Sequence, residues 1–245
     1  MRIIYLDTAA STPVDPKVVK AMLPFFSEMY ANPSSIHEAG MQAKVAVEEA
    51  RAKVAQILHC LPEEIIFTSG GTESINLALK GIAFQRKKGH ILTSQIEHPA
   101  VLETCKYLQT KGFKVTYLPV DKFGLVSPLD VKKALRNDTI LISIMYANNE
   151  IGTVEPIAEI GKLAQQYKIL FHVDACQAGS LELDVDKLKV DMLTLNGSKI
   201  YGPKGVGILF KRKSVQLDPL HHGGGQEGGQ RSGTQNVPAI IGFTA

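Results

Sequence analysis

Phe171-His172-Val173-Asp174-Ala175-Cys176-Gln177 and Asp191-Met192-Leu193-Thr194-Leu195-Asn196-Gly197-Ser198-Lys199-Ile200-Tyr201-Gly202-Pro203-Lys204-Gly205 carry the pattern from which the fold is read. Each contains a short, nearly continuous apolar run that breaks into polar and small residues. Strands buried on both faces have that composition, because neither face meets water. The break sets a carboxylate beyond one strand and an amine beyond the next.

The same unit repeats outward along the chain. Strands are predicted at Glu64–Thr68, His90–Ser94, Lys114–Leu118, Thr139–Met145, Ile169–Val173, Asp191–Leu195 and Val206–Phe210. Amphipathic helices are predicted at Pro16–Met29, His37–Leu58, Thr72–Gln85, Pro99–Lys111, Pro128–Leu135 and Pro156–Tyr167. Four of them start with proline, whose missing N–H costs nothing in a first turn. Alternating strands and helices predict an α/β fold, a mainly parallel seven-stranded sheet with helices on both faces. Ligands of such sheets bind beyond the strands' carboxyl ends. Five loops there are polar: Ser69-Gly70-Gly71-Thr72, Gln95-Ile96-Glu97-His98, Tyr146-Ala147-Asn148-Asn149-Glu150, Asp174-Ala175-Cys176-Gln177 and Asn196-Gly197-Ser198-Lys199.

Bulk composition narrows the class. Hydrophobic residues at 44% and charged residues at 21% suit an ordinary globular chain able to bury a full core. A net charge of +3, without long basic runs, argues against nucleic-acid binding. Cys60, Cys105 and Cys176 have neither disulfide-framework nor zinc spacing. The start Met1-Arg2-Ile3-Ile4-Tyr5-Leu6-Asp7 has no signal-peptide pattern, and no apolar run reaches the roughly 20 residues of a membrane span. A cytoplasmic location and no membrane partner are the expectations.

A carboxylate and a lysine so placed suit pyridoxal phosphate chemistry, in which the amine condenses with the cofactor aldehyde and the carboxylate keeps the pyridine nitrogen protonated. Ser69-Gly70-Gly71-Thr72 opens a helix, whose free N–H groups and dipole suit a phosphate; a capped tight turn is the alternative. His98 is placed to stack on a ring and move protons, or to serve the structure. Asn148, Asn149 and Gln177 offer amides near a ring hydroxyl or a substrate carboxylate, although Asn also suits a plain turn. His221-His222-Gly223-Gly224-Gly225-Gln226-Glu227-Gly228-Gly229-Gln230-Arg231-Ser232-Gly233-Thr234 reads either as a flexible linker or as a presenter of Arg231 and Thr234 to a phosphate.

Together these motifs resemble the cysteine desulfurases of the class-V aminotransferase group, from Tyr5-Leu6-Asp7-Thr8-Ala9-Ala10-Ser11-Thr12-Pro13 through Asn32-Pro33-Ser34-Ser35-Ile36-His37 to Arg231-Ser232-Gly233-Thr234. The resemblance implies a fold-type-I pyridoxal 5'-phosphate transferase large domain over residues 16–245, preceded by an N-terminal arm at 1–15. Catalytic roles fall by resemblance to Lys199 and His98. Cofactor contacts fall to Gly71, Thr72, His98, Asn149, Asp174, Gln177, Ser198 and Lys199, and substrate contact to Asn149. Thr234 is implied to reach the phosphate of a neighbouring subunit, hence a homodimer. The implied reaction takes sulfur from L-cysteine, leaves alanine, and passes a persulfide to an acceptor or scaffold protein for iron–sulfur cluster assembly or thiolation. A selenocysteine lyase, a related lyase, or a cofactor-binding and dimerisation fragment are the alternatives. Many family members have Ser-Gly-His-Lys where this chain has Asn196-Gly197-Ser198-Lys199. The family's smaller C-terminal domain, with its nucleophilic cysteine and substrate-binding arginine, has no counterpart in these 245 residues, and none of the three cysteines matches that nucleophile.

Overall fold

The computed structural model describes residues 4–245. The arm expected over 1–15 is therefore described from Ile4 onward, and residues 1–3 lie outside the described residues. Seven strands form one sheet: β1 (Ile65–Thr68), β2 (His90–Ser94), β3 (Lys114–Leu118), β4 (Thr139–Met145), β5 (Leu170–Asp174), β6 (Met192–Asn196) and β7 (Gly207–Lys211). Their order is β1-β7-β6-β5-β4-β2-β3. The pairs β3–β2, β2–β4, β4–β5 and β5–β6 are parallel, and β7 is antiparallel to both its neighbours. Two reversals across β7 leave β1 pointing the same way as β6. Six strands thus share one direction, and the loops after β1, β2, β4, β5 and β6 all emerge at one end of the sheet.

Successive side chains of a strand point to opposite faces, so a strand buried on both sides feeds two cores. On one face Phe67, Leu92, Ile142, Ile144, Phe171, Val173, Leu193, Ile208 and Phe210 pack with the helices Glu38–Leu58, Pro128–Ala134, Ile157–Tyr167 and Val237–Thr244. On the other, Ile66, Ile91, Leu141, Met192 and Leu209 pack under the helices Gly71–Arg86 and Pro99–Thr110. Helices cover both faces, as the alternation predicts.

The structure corrects the sequence reading locally. β5 and β6 end one residue later than expected, because Asp174 pairs with Met145 and with Thr194, and Asn196 pairs with Gly207. The single helix expected at Pro16–Met29 is two, Pro16–Met22 and Pro24–Ser27. Pro24 has no N–H to continue the ladder, so the break falls there. A one-turn helix, Val185–Leu188, stands outside the predicted elements.

The glycine-rich segment from His221 to Thr234 is not a loose linker. Arg51 donates to both carboxylate oxygens of Glu227 at 2.8 and 2.9 Å, and that carboxylate also accepts from the Phe67 backbone at 2.9 Å. The Glu227 side chain is 1% exposed. Farther along, Arg231 donates to Glu73 at 2.8 Å. Burial works against ionisation of Glu73, but Arg231 and the Ser69 N–H outweigh it and hold its pKa below the usual carboxylate range.

Candidate active site

A cavity of about 390 Å³ opens where the loops converge, within the range of small-molecule pockets. Gly71, Thr72, His98, Asn149, Asp174, Gln177 and Lys199 line it. Seven of the nine predicted site residues therefore meet in one space.

Strand parity explains why Asp174 and the helix N-terminus face each other. Asp174 continues the face of Leu170 and His172, the side covered by the Gly71–Arg86 helix. The carboxylate is buried and accepts from the Cys176 N–H at 3.0 Å. Beneath it, the His172 ring is held on both nitrogens, by Ser143 Oγ at 2.9 Å and Thr194 Oγ1 at 3.0 Å. Burial lowers that imidazole to about 3, so it is neutral at physiological pH. β4, β5 and β6 are thus tied together directly below the carboxylate by an uncharged polar belt.

Gly71 lets the helix start close to Cys176: a Cβ there would sit 2.7 Å from the Cys176 sulfur. Gly70, the N-cap, has φ of 151°, a conformation glycine alone adopts readily. Gly71 and Thr72, which open this helix, line the cavity, and the first N–H groups of a helix have no partner within it.

Lys199 ends a 3₁₀ turn, Gly197–Lys199, that follows β6. The turn is tight because a Cβ on Gly197 would meet the Pro203 carbonyl at 2.8 Å. The Gly202 N–H donates back to the Gly197 carbonyl at 3.0 Å. The amine donates to the carbonyls of Ala9 and Ala10, both at 2.6 Å. Gln177 Nε2 donates to the Ala9 carbonyl at 2.8 Å. The arm is fastened to the lysine turn in return. Thr12 N and Oγ1 both donate to the Ser198 carbonyl, and Thr12 Oγ1 accepts from Tyr201 N at 2.8 Å.

His98 caps the Pro99–Thr110 helix, its Nδ1 accepting from Ala100 N at 3.1 Å. A neutral His98 ring therefore carries its proton on Nε2. Asn148 and Asn149 divide the work of the β4 loop. Asn148 is buried and bonds Ile96, Glu150 and Ile151, whereas Asn149 lines the cavity.

Two predicted residues lie elsewhere. Ser198 does not line the cavity; its carbonyl is engaged by Thr12. Thr234 is exposed and lines a separate cleft with Ser69, Arg231 and Gln235. Sequence reasoning also missed Asp7, Ala9 and Ala10, which close the cavity. Ala9 and Ala10 contribute backbone carbonyls, which no side-chain pattern signals.

None of the three thiols is activated. Burial pushes Cys60 and Cys105 up to about 12. Burial, then the adjacent Asp174 charge, raises Cys176 well above the usual thiol range. No group of three or more metal-ligating side chains occurs among the described residues. No helix among them is long and apolar enough to cross a membrane.

Known proteins are similar to this chain in sequence and fold. The chain is 56% identical over 245 residues to the cysteine desulfurase IscS of Dictyoglomus turgidum, covering 99% of this chain and 62% of that protein. It is 57% identical over 243 residues to the cysteine desulfurase IscS of Methanosarcina thermophila, covering 98% and 60%. Among solved structures it matches "SspA in complex with cysteine" with a TM-score of 0.97 at 48% identity, covering 99% of this chain and 71% of that one. A NifS-like protein matches with a TM-score of 0.96 at 48% identity, covering 100% and 68%. The chain spans about three fifths of the length of these two desulfurase relatives. The aminotransferase class-V family matches residues 4–245. By that match, the chain belongs to the aminotransferase class-V family.

Proposed function

We propose that this chain is the cofactor-binding large domain, residues 16–245 with a 1–15 arm, of a pyridoxal 5'-phosphate-dependent cysteine desulfurase. The observation that carries the reading is the shared cavity of Lys199 and Asp174 beside a glycine-opened helix N-terminus. The donor set fits the cofactor: one amine for its aldehyde, one buried carboxylate for its ring nitrogen, free helix N–H groups and Thr72 for its phosphate, and amides for its hydroxyl.

When bound, pyridoxal phosphate supplies an aldehyde that captures amines and a ring that accepts electron density from bonds broken at the substrate. Every other task falls to the protein. Asp174 holds the proton on the ring nitrogen, and the neutral belt around His172 adds no competing charge. His98, on the cavity lining, would pack against the ring and offer an acid–base group. Lys199, whose amine the Ala9 and Ala10 carbonyls hold at the cavity, would be the group to bind the aldehyde and to move the substrate Cα proton. Asn149 and Gln177 orient ring and substrate. Thr234, facing away from this cavity, serves the phosphate of a second copy, so the working form is a homodimer.

The substrate is L-cysteine, supported by its presence in the matching SspA structure. Its C–S bond breaks, sulfur passes to an acceptor thiolate as a persulfide, and alanine is released. Cys60, Cys105 and Cys176 are protonated near pH 7, so that thiolate comes from elsewhere. The persulfide then goes to an acceptor or scaffold protein for iron–sulfur cluster assembly or thiolation, in the cytoplasm.

The test is sulfide and alanine release from L-cysteine by the cofactor-loaded chain with dithiothreitol as external thiol. Equimolar products, abolished by Lys199→Ala, are expected. Release that Lys199→Ala leaves unchanged overturns the reading.

A further inference from the structure

His98 and Asn149 come from different loops, after β2 and β4, and a buried carboxyl joins those loops. Glu97 is 4% exposed. Its Oε1 accepts from Ser94 Oγ at 2.6 Å and from the Met145 N–H at 3.0 Å. Asn148 makes the reciprocal stitch, donating to the Ile96 carbonyl at 3.0 Å while its Oδ1 accepts from the Glu150 and Ile151 N–H groups. Glu97 Oε2 is buried with no hydrogen-bond partner. An ionised carboxylate would leave a negative oxygen uncompensated there, which is far costlier than an unpaired hydroxyl.

Two of the groups around Glu97 are acids that oppose its ionisation. Asp174 at the end of β5 and Glu155 beyond β4 are both acidic, Cys105 on the Pro99–Thr110 helix is a protonated thiol, and His98 is the next residue. Burial first, then those two acids, pushes Glu97 up to about 8 against its hydrogen bonds.

We propose that Glu97 is a positioning residue that acts as a neutral acid, locking the β2 and β4 loops together and thereby fixing the His98 imidazole and the Met145–Asn149 wall of the cavity. This rests on the cofactor-site reading for its consequence but not for its geometry. The carboxyl touches neither cavity nor ring, so it works through the two loops. A lock of this kind explains why an acid stands beside His98 without lining the site. Above about pH 8 the lock loosens, because a second anion then sits near Asp174.

The experiment compares wild type, Glu97→Gln and Glu97→Ala. Ring resonances of His98 are read by NMR without cofactor, and the affinity for pyridoxal phosphate is read by absorbance. Glutamine reproduces the neutral acid: the His98 shifts stay within the wild-type pattern and the Kd within about threefold. Alanine displaces or broadens the His98 resonances and weakens the Kd at least tenfold. In wild type both readouts inflect near pH 8, and in Glu97→Gln that inflection is absent. Should the alanine variant not fold, the pH comparison decides. Identical pH curves for wild type and Glu97→Gln overturn the proposal, as does a folded Glu97→Ala with unchanged His98 resonances. If wild type binds no cofactor through Lys199, the functional reading fails while the His98 shifts still decide the lock.

Discussion

Two glycine-rich turns look alike in sequence and are built on opposite principles. In Asn196–Gly205 the glycines at 197 and 202 make room: added Cβ atoms would strike backbone at 2.8 and 2.9 Å. In His221–Thr234, Gly225, Gly228 and Gly229 have open space around them but positive φ angles. Order there comes from charge, through Glu227 on Arg51 and Arg231 on Glu73. One turn is held by close packing and places an amine in a cavity. The other is pinned at two ion pairs and carries Thr234 on the surface. Glycine content alone distinguishes neither case from a flexible linker.

The largest effect is expected at the charged anchor. Glu227→Ala takes the bidentate partner from the buried Arg51 guanidinium, leaving it only the half-exposed Glu48 and the Ile65 carbonyl, and breaking such a buried pair costs about 3–5 kcal/mol. Urea unfolding measures this. A loss below about 1 kcal/mol would mean that the segment is held by something other than this pair.

Acid separates the two regions next. His172 has a folded-state pKa of about 3, against an unfolded value near 6.5. A depressed histidine contributes stability above pH 6.5 and loses it as pH falls toward 3. By pH 4.5, two units into that window, the loss from His172 is about 3 kcal/mol. His90, lowered to about 4 chiefly by burial, adds to it. Glu73, held below its ordinary range, keeps its contribution until pH falls below about 4.5. The sheet under Asp174 therefore weakens before the Arg231 tie does. Urea midpoints from pH 7 to 4 should fall steeply in wild type and more gently in His172→Gln. Equal slopes would contradict the neutral belt.

How much was legible follows from the same contrast. Buried strands and amphipathic helices announce themselves by composition, and the reading erred mainly where a polar residue stays in the ladder, as at Asp174 and Asn196. Lysine, aspartate and histidine at strand ends were equally visible, because a charge closing an apolar run needs a reason. What sequence could not display was backbone work: the Ala9 and Ala10 carbonyls at Lys199, and the Thr12 clasp on Ser198. Nor could it pair Arg51 with Glu227 across 176 residues, since a long-range ion pair has no local pattern. Glu97 was visible only as a neighbour of His98.

The smallest effects sharpen the comparison between glycines. Gly197→Ala forces backbone and the Val206 side chain apart and is expected to cost about 1–3 kcal/mol. Gly228→Ala meets no neighbour and bears only the positive φ of 62°, about 1 kcal/mol. Thermal unfolding of both variants ranks them. A reversed order would mean that packing does not hold the lysine turn.

The most direct measurement is borohydride reduction of the chain with pyridoxal phosphate, followed by peptide mapping by mass spectrometry. The account predicts that the cofactor is fixed to Lys199, with no equivalent label in Lys199→Ala. Cofactor mass spread over surface lysines, or undiminished in that variant, would contradict the claim that this cavity is a pyridoxal phosphate site.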